Sequence, residues 1–489
     1  MRRLLMMLMV TGCLATCGSA TGIAGDAPPE ARIVRIIVNH RTFDPYMPWR
    51  IRSPSTRTGY GVCIDSNLVL TTEHLIRNGN LIELEPPRSI RRSIATLLVG
   101  DPMLNLALLQ LEEPLTDIPP ISITGKTAIN APVDILQFNS ERDIETAAAR
   151  VSRIAVTGLP DTPASSLAYH MLCDLNVNGE GAPVFVDDKL AGLVIAFQQQ
   201  ARIATMIAAP YVSRFIEDAR GGDYRGSARA GVRWRPLVTS AKRRYLGLNA
   251  DQEGILVIDL LPGSPAATAL HPLDVLLEWD GFPLDHMGYY QDPEFGRLDF
   301  SHLVKGHRSP GETVPVEVWR NGSRTNVVLT LIGSRDTLAL VPENITGKRP
   351  GYIVSGGVIL RELDGHFMKA GGSDWYNKVN ARLTQLYLTG LPGEHAPGDR
   401  VVIVAGVLPD AINVGYHHIR GVVVNAVNGT PVRGLKDVFR IKQRDGALWR
   451  FSLVPAGTEI VLDRDGLDAA NARIAEDYQV SALSHAPAD

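Results

Sequence analysis

The sequence predicts a mainly β protein of about three domains, and three observations predict it. Short apolar runs such as IVRIIV, YGVCI, LALLQL and KLAGLVIAF recur with turn residues between them, the spacing of sandwich or barrel strands. Forty-five glycines and 32 prolines stand against 6% aromatic residues, which favours strands and turns over helical bundles. The 489 residues, at roughly 150 per domain, make about three domains. The remaining composition is chiefly exclusionary. Hydrophobic residues at 45% and charged residues at 21% exclude a disordered chain. A net charge of −3 provides no overall basic field for a nucleic acid. Four cysteines in so long a chain are no disulfide framework.

The elements follow in chain order. Residues 1–20 read as an export signal, with Met1-Arg2-Arg3 before the apolar run Leu4–Val10, which is too short to span a bilayer. Two processing readings stand open. VTGC ending at Cys13 resembles a lipoprotein box, which implies a lipid anchor, and Gly18-Ser19-Ala20 suits ordinary signal cleavage. Residues 31–220 carry the short strands of a first domain, closed by a helix over Pro210–Ala219. Cys63 and Cys173 fall in its apolar strands and read as buried small hydrophobes, with a disulfide between them left open. Residues 230–335 form a second domain that ends in the hairpin VPVEVWRNGSRTNVVLTL, its turn marked by Asn321-Gly322. Residues 350–484 form a third, with strands at Val401–Val407 and Val422–Val427 and helices at Leu435–Gln443 and Leu467–Ala475. Its Ser373–Thr389 segment predicts an amphipathic helix carrying Trp375, Val379, Leu383 and Leu386.

Three stretches of the first domain carry a resemblance. LVLTTEHLI ends a strand at His74, GDPMLNLALLQL follows, and NVNGEGAPVF precedes KLAGLVIAF. In this order they resemble the HtrA/Deg family of serine proteases, whose motifs are similar to TNxHV, DxxxDLAVL and NPGNSGGP. The resemblance continues through RRYLGL and PGSPA to VLDR near the end. It implies a trypsin-like double β-barrel followed by two α+β PDZ-like domains, and a homo-oligomer of three subunits or a multiple of three. Pro48-Trp49, before the first barrel strands, matches the family's N-terminal region.

The same comparison shows what is missing. A Ser–His–Asp site needs a nucleophilic hydroxyl, an imidazole base and a carboxylate that orients it. His74 holds the base position, but Asn105 stands at the orienting acid and Glu180 at the nucleophile. Asn178 replaces the glycine two residues earlier. Losing the orienting carboxylate costs about 10⁴ in turnover, and losing the nucleophile on the order of 10⁶. A carboxylate at residue 180 would also oppose the oxyanion and, within reach of His74, favour imidazolium. Cys173 has no base or motif beside it, and His74 with Glu180 lacks a third metal ligand, so neither a metal nor a cofactor is expected. His417-His418, read on a strand, would face opposite ways.

The second domain carries the remaining expectation. Arg244-Tyr245-Leu246-Gly247-Leu248 resembles the carboxylate-binding loop of a PDZ domain, which accepts an extended peptide as an added strand. Seven Lys/Arg and no acid lie between Tyr224 and Ala250, a solvated rim in preference to a nucleic-acid patch. The expected function is an exported, periplasmic Deg-like pseudoprotease that captures polypeptide C-termini or unfolded segments and works with active Deg-type proteases. The alternative is an active serine-type endopeptidase of the same family.

Overall fold

The computed structural model describes residues 28–487 apart from 88–90, 116–117, 159–164, 250–251, 335–338, 344–348, 373, 390–394, 397, 443–445 and 456. The expected export signal and Cys13 lie outside the described residues. Among the described residues no helix is long and apolar enough to cross a membrane.

Two six-stranded barrels close in succession. The first runs Ile33–His40, Ser55–Cys63, Leu68–Thr71, Leu106–Leu111, Ser93–Asp101, Gly79–Glu85 in spatial order. The second runs Pro183–Val186, Lys189–Gln198, Ile203–Ala208, Ser165–Cys173, Ile144–Gly158, Pro132–Phe138. Alternation explains why the strands read as unbroken apolar runs. Val34, Ile36, Val69 and Leu109 fill the first barrel, whereas Val62, Leu70 and Leu108 face the core that continues into the second. The helix Ala209–Arg220 begins with Pro210 in its first turn and buries Tyr211, Val212, Phe215, Ile216 and Ala219 along one face.

A middle domain follows, with a sheet ordered Val232–Pro236, Ile255–Leu260, Val275–Trp279, Thr313–Arg320, Ser323–Thr330. Val232–Pro236 is therefore an edge strand. The predicted hairpin forms, with Asn321 at φ +50° and Gly322 at +83°, as a type I′ turn requires. Helix Phe300–His307 is capped by Asp299, whose carboxylate accepts the Ser301 N–H at 2.9 Å.

The C-terminal domain is built on a sheet running from Glu459–Asp463 through Leu448–Val454, Val422–Val427, Val402–Val407, Val358–Glu362 and Tyr352–Ser355 to Ser484–His485. The helix expected within this domain divides into Trp375–Lys378 and Ala381–Thr389, between the strands Val358–Glu362 and Val402–Val407. Asn380 causes the break, its Oδ1 taking the Arg382 N–H at 2.8 Å in the manner of an N-cap. Pro48-Trp49 lies after the first barrel strand, not before it. Trp49 is buried 5.9 Å from the Tyr352 ring, and Arg361 donates to the Pro45 carbonyl at 2.8 Å. This loop thereby joins the first barrel to the C-terminal domain.

Candidate active site

His74 sits in the one-turn helix Glu73–Ile76, anchored by buried Leu75 and Ile76. Asn105, buried at φ +53°, precedes the strand Leu106–Leu111 and accepts the His74 backbone N–H through Oδ1 at 2.8 Å. Glu180 lies between Gly179 and Gly181, both packed on Tyr60. A Cβ at residue 179 would meet the Tyr60 ring at 2.0 Å, and one at residue 181 would meet the Tyr60 carbonyl at 2.2 Å. The fold therefore brings His74, Asn105 and Glu180 together in the positions of a triad.

Their connections differ from those of a Ser–His–Asp triad. Glu180 Oε2 contacts His74 Nδ1 at 3.0 Å, so the nucleophile position binds the nitrogen that an orienting acid would hold. Nε2, the nitrogen a base would use, faces Arg57 Nη1 at 3.2 Å. A guanidinium can only donate, so a hydrogen bond there consumes the Nε2 lone pair and leaves the proton on Nδ1. In the imidazolium form no lone pair exists. Neither state can take a proton from a nucleophile at residue 180.

The oxyanion side is spent as well. The Asn178 N–H, one of the two donors that position requires, is held by Gln137 Oε1 at 2.9 Å. Gln137 is buried and fixed by Glu145 at 2.9 Å and the Asn176 carbonyl at 3.0 Å. Asn178 is locked further, with Tyr60 donating to its Oδ1 at 2.6 Å and its Nδ2 donating to the Phe138 carbonyl at 2.9 Å. Asp101, the acid at the start of the second motif, accepts from Tyr224 at 2.6 Å and from the Ser227 N–H at 3.0 Å.

Burial works against the Glu180 charge, but the hydrogen bond and charge of His74, helped by Thr72 and Asn105, hold its carboxyl below the usual range. Thr72 and Asn105 act from beyond hydrogen-bond geometry, since Glu180 Oε1 and Thr72 Oγ1 are both buried without a partner. A depressed folded-state pKa stabilises the protein above the ordinary value of 4.5, and that stabilisation is lost as the pH falls through the folded value. Glu180→Gln is therefore expected to flatten the decline of the urea midpoint as the pH falls below the ordinary value of 4.5. Parallel declines in parent and variant would contradict the assigned charge.

Among the described residues, neither thiol is placed as a replacement nucleophile. Burial pushes Cys63 up to about 12 and raises Cys173, and both are free and buried. His417-His418 lies in a turn, not on a strand, and His417 Nε2 contacts Asn413 Oδ1 at 2.8 Å.

The predicted carboxylate loop is a helix. Ser240–Tyr245 is helical, and the N–H groups of Leu246, Gly247 and Leu248 are taken by the carbonyls of Lys242, Arg244 and Arg243 at 3.0 Å each. Spent donors cannot hold a carboxylate. Arg244 lies within this helix, and Tyr245 at its end is 74% exposed. A groove lies between the edge strand Val232–Pro236 and helix Phe300–His307, where a cavity of about 420 Å³ is lined by Gly231, Trp234, Ser301 and Val304 and, from the C-terminal domain, by Leu340 and Leu386 among others. Phe300 packs edge-on against Trp234 at 6.0 Å and Trp279 at 5.0 Å, tying the groove's two walls to the sheet.

Comparisons with known proteins agree with this architecture. Residues 59–196 match the trypsin-like peptidase domain family, and residues 341–485 match the PDZ domain family. Protease Do-like 2, chloroplastic, of Arabidopsis thaliana is 24% identical over 457 residues, 92% of this chain and 74% of that protein. Protease Do-like 4, mitochondrial, of the same organism is 22% identical over 411 residues, 83% and 75%. The solved structure of the HtrA-type protease AlgW with a decapeptide has a TM-score of 0.48 at 19% identity, covering 63% of this chain and 96% of that one. The chain therefore carries a trypsin-like peptidase domain of two closed barrels and a PDZ domain, and along most of its length it is similar to Do-like proteases.

Proposed function

We propose that the chain is an exported Deg-type pseudoprotease that binds polypeptide segments or C-termini and serves protein quality control or protease regulation in the envelope. The observation that carries the reading is the rewired His74, with Nδ1 on Glu180 and Nε2 facing Arg57. The middle domain is read as a second PDZ-like unit. Its edge strand and the flanking helix suit addition of an extended peptide, whose main chain pairs with the strand while side chains enter the groove. The chain enters this strand through Ala230-Gly231, with Gly231 at φ +71°. Such a turn lets backbone approach a terminal carboxylate closely.

Two measurements test the two halves. The purified chain is expected to leave unfolded casein intact and to remain unlabelled by a fluorophosphonate. Casein turnover that vanishes in His74→Ala would sink the pseudoprotease reading. For binding, fluorescent peptides with free and amidated C-termini are titrated by anisotropy. Gly231→Val is expected to weaken binding at least about tenfold, since its side chain meets Ser264 at 2.8 Å from a strained backbone. Tyr245→Ala is expected to bind like the parent. The opposite pattern would return the site to the Arg244–Leu248 segment.

A further inference from the structure

Below the groove, helix Phe300–His307 and the hairpin strand Tyr289–Asp292 bring two imidazoles to one carboxylate. Asp292 Oδ2 lies 3.0 Å from His307 Nε2 and 3.9 Å from His302 Nε2, and one ligand atom from each residue falls within 4.8 Å of the others. We propose that Asp292, His302 and His307 bind a divalent transition-metal ion of the zinc class, at the joint between the middle domain and the second barrel.

The separations are close to those between the ligand atoms of a tetrahedral site. Zinc bonds of about 2.0–2.2 Å hold ligand atoms roughly 3.3–3.5 Å apart, so closure onto an ion needs movements of about 1 Å or less. The 3.9 Å between His302 and Asp292 is too long for a hydrogen bond, and an ion between them would bridge it.

Each ligand is oriented from behind. His302 Nδ1 contacts the Tyr211 hydroxyl at 2.8 Å, which turns Nε2 toward Asp292. Asp292 Oδ1 accepts the N–H groups of Glu294 and Phe295 at 2.9 Å each, which fixes the carboxylate with Oδ2 turned toward the two imidazoles. A Cβ at Gly306 would meet the His302 ring at 2.4 Å, so this glycine gives the ring its seat.

The surroundings permit a cation. Lys305 directs its ammonium to the Ser165 carbonyl at 2.5 Å, and Arg214 donates to the carbonyls of Lys305 and Arg308 at 3.4 and 3.3 Å. Asp292 and His302 have side chains only 3% and 4% exposed, whereas His307 at 23% opens a path from solvent. The Tyr290 hydroxyl donates to Asp292 Oδ2 at 2.8 Å and lies 3.3 Å from His307 Nε2, so an ion would take over its place on the carboxylate, with a water entering past His307 as fourth ligand. Two imidazoles and one carboxylate select zinc-like ions over magnesium or calcium.

The test uses the full chain, stripped with a chelator and dialysed, then titrated with Zn²⁺ by calorimetry and with Co²⁺ by visible absorption. One ion per chain is expected, with the intense d–d bands of a four-coordinate Co²⁺ site. Asp292→Asn and His307→Gln are each expected to weaken Zn²⁺ binding by at least about 100-fold, beyond the usual loss from an outer-shell change. His307 is the partly exposed ligand, so its variant keeps the test sound if substitutions at buried His302 disturb folding. Metal-free melting of His307→Gln close to that of the parent would show that the fold is retained. Failure of Zn²⁺ to bind at tens of micromolar, or parental affinity in both variants, would overturn the site.

Discussion

Asn105→Asp combined with Glu180→Ser is expected to raise casein cleavage by no more than about tenfold over background, despite writing the triad back into the sequence. The serine would have a base only after the His74 ring turns over, because Nδ1 now faces residue 180. Arg57 adds a positive charge beside an imidazole that must become cationic in the reaction. The larger obstacle is the oxyanion position. The Asn178 N–H donates to Gln137 Oε1, and its side chain is tied to Tyr60 and Phe138. One oxyanion donor is worth about 10²–10³ in turnover. Adding Asn178→Gly and Gln137→Leu to the double variant is therefore expected to gain about 10²–10³. Casein hydrolysis and fluorophosphonate labelling measure the series. High activity from the double variant alone would show that this loop rearranges freely when substrate binds.

The series also shows which parts of the site the sequence could reveal. Asn105 and Glu180 were legible because they interrupt short motifs of fixed order. Gln137 and Arg57 were not. Gln137 comes from a strand 41 residues before Asn178, and Arg57 from a strand 17 residues before His74. Nothing in the local sequence announces either contact. The reversed imidazole was equally hidden, because a residue type does not tell which ring nitrogen meets which partner.

The barrels and the Asn321-Gly322 hairpin were legible for a different reason. Alternation, turn residues and a required positive φ are all local. The Arg244–Leu248 expectation failed on the same local ground. A glycine after a run of cations suits both a carboxylate loop and a helix C-terminus, and Gly247 at φ +72° ends the helix. The Asp292–His302–His307 trio eluded the reading because its spacings of ten and five residues match no compact metal motif. No metal was expected from sequence, so the proposed site departs from that expectation. It arises from the fold of a hairpin against a helix, with Tyr211 supplied by another domain.

Trp279→Ala is expected to be the most destabilising single change in the middle domain and to abolish peptide binding with it. Trp279 is fully buried at the end of strand Val275–Trp279, with its ring 5.0 Å from Phe300 on the groove helix. Truncating a buried tryptophan costs about 3–5 kcal/mol, because the lost transfer energy is compounded by a cavity that the surroundings only partly fill. In a domain of this size each kcal/mol lowers the melting temperature by about 4–8 °C. An early transition shifted by more than about 12 °C is therefore expected in calorimetry, with the barrel transition moved less. Peptide and Zn²⁺ binding should fail together, since Phe300 begins the helix that carries His302 and His307. Trp279→Phe separates packing from polarity. Trp279 Nε1 is buried without a hydrogen-bond partner, so phenylalanine removes an unsatisfied donor while keeping an aromatic ring against Phe300. Its cost is expected to stay below about 1.5 kcal/mol. Equal losses in the two variants would mean that the indole ring's full volume holds the helix in place, and an unshifted transition in Trp279→Ala would remove Trp279 as its anchor.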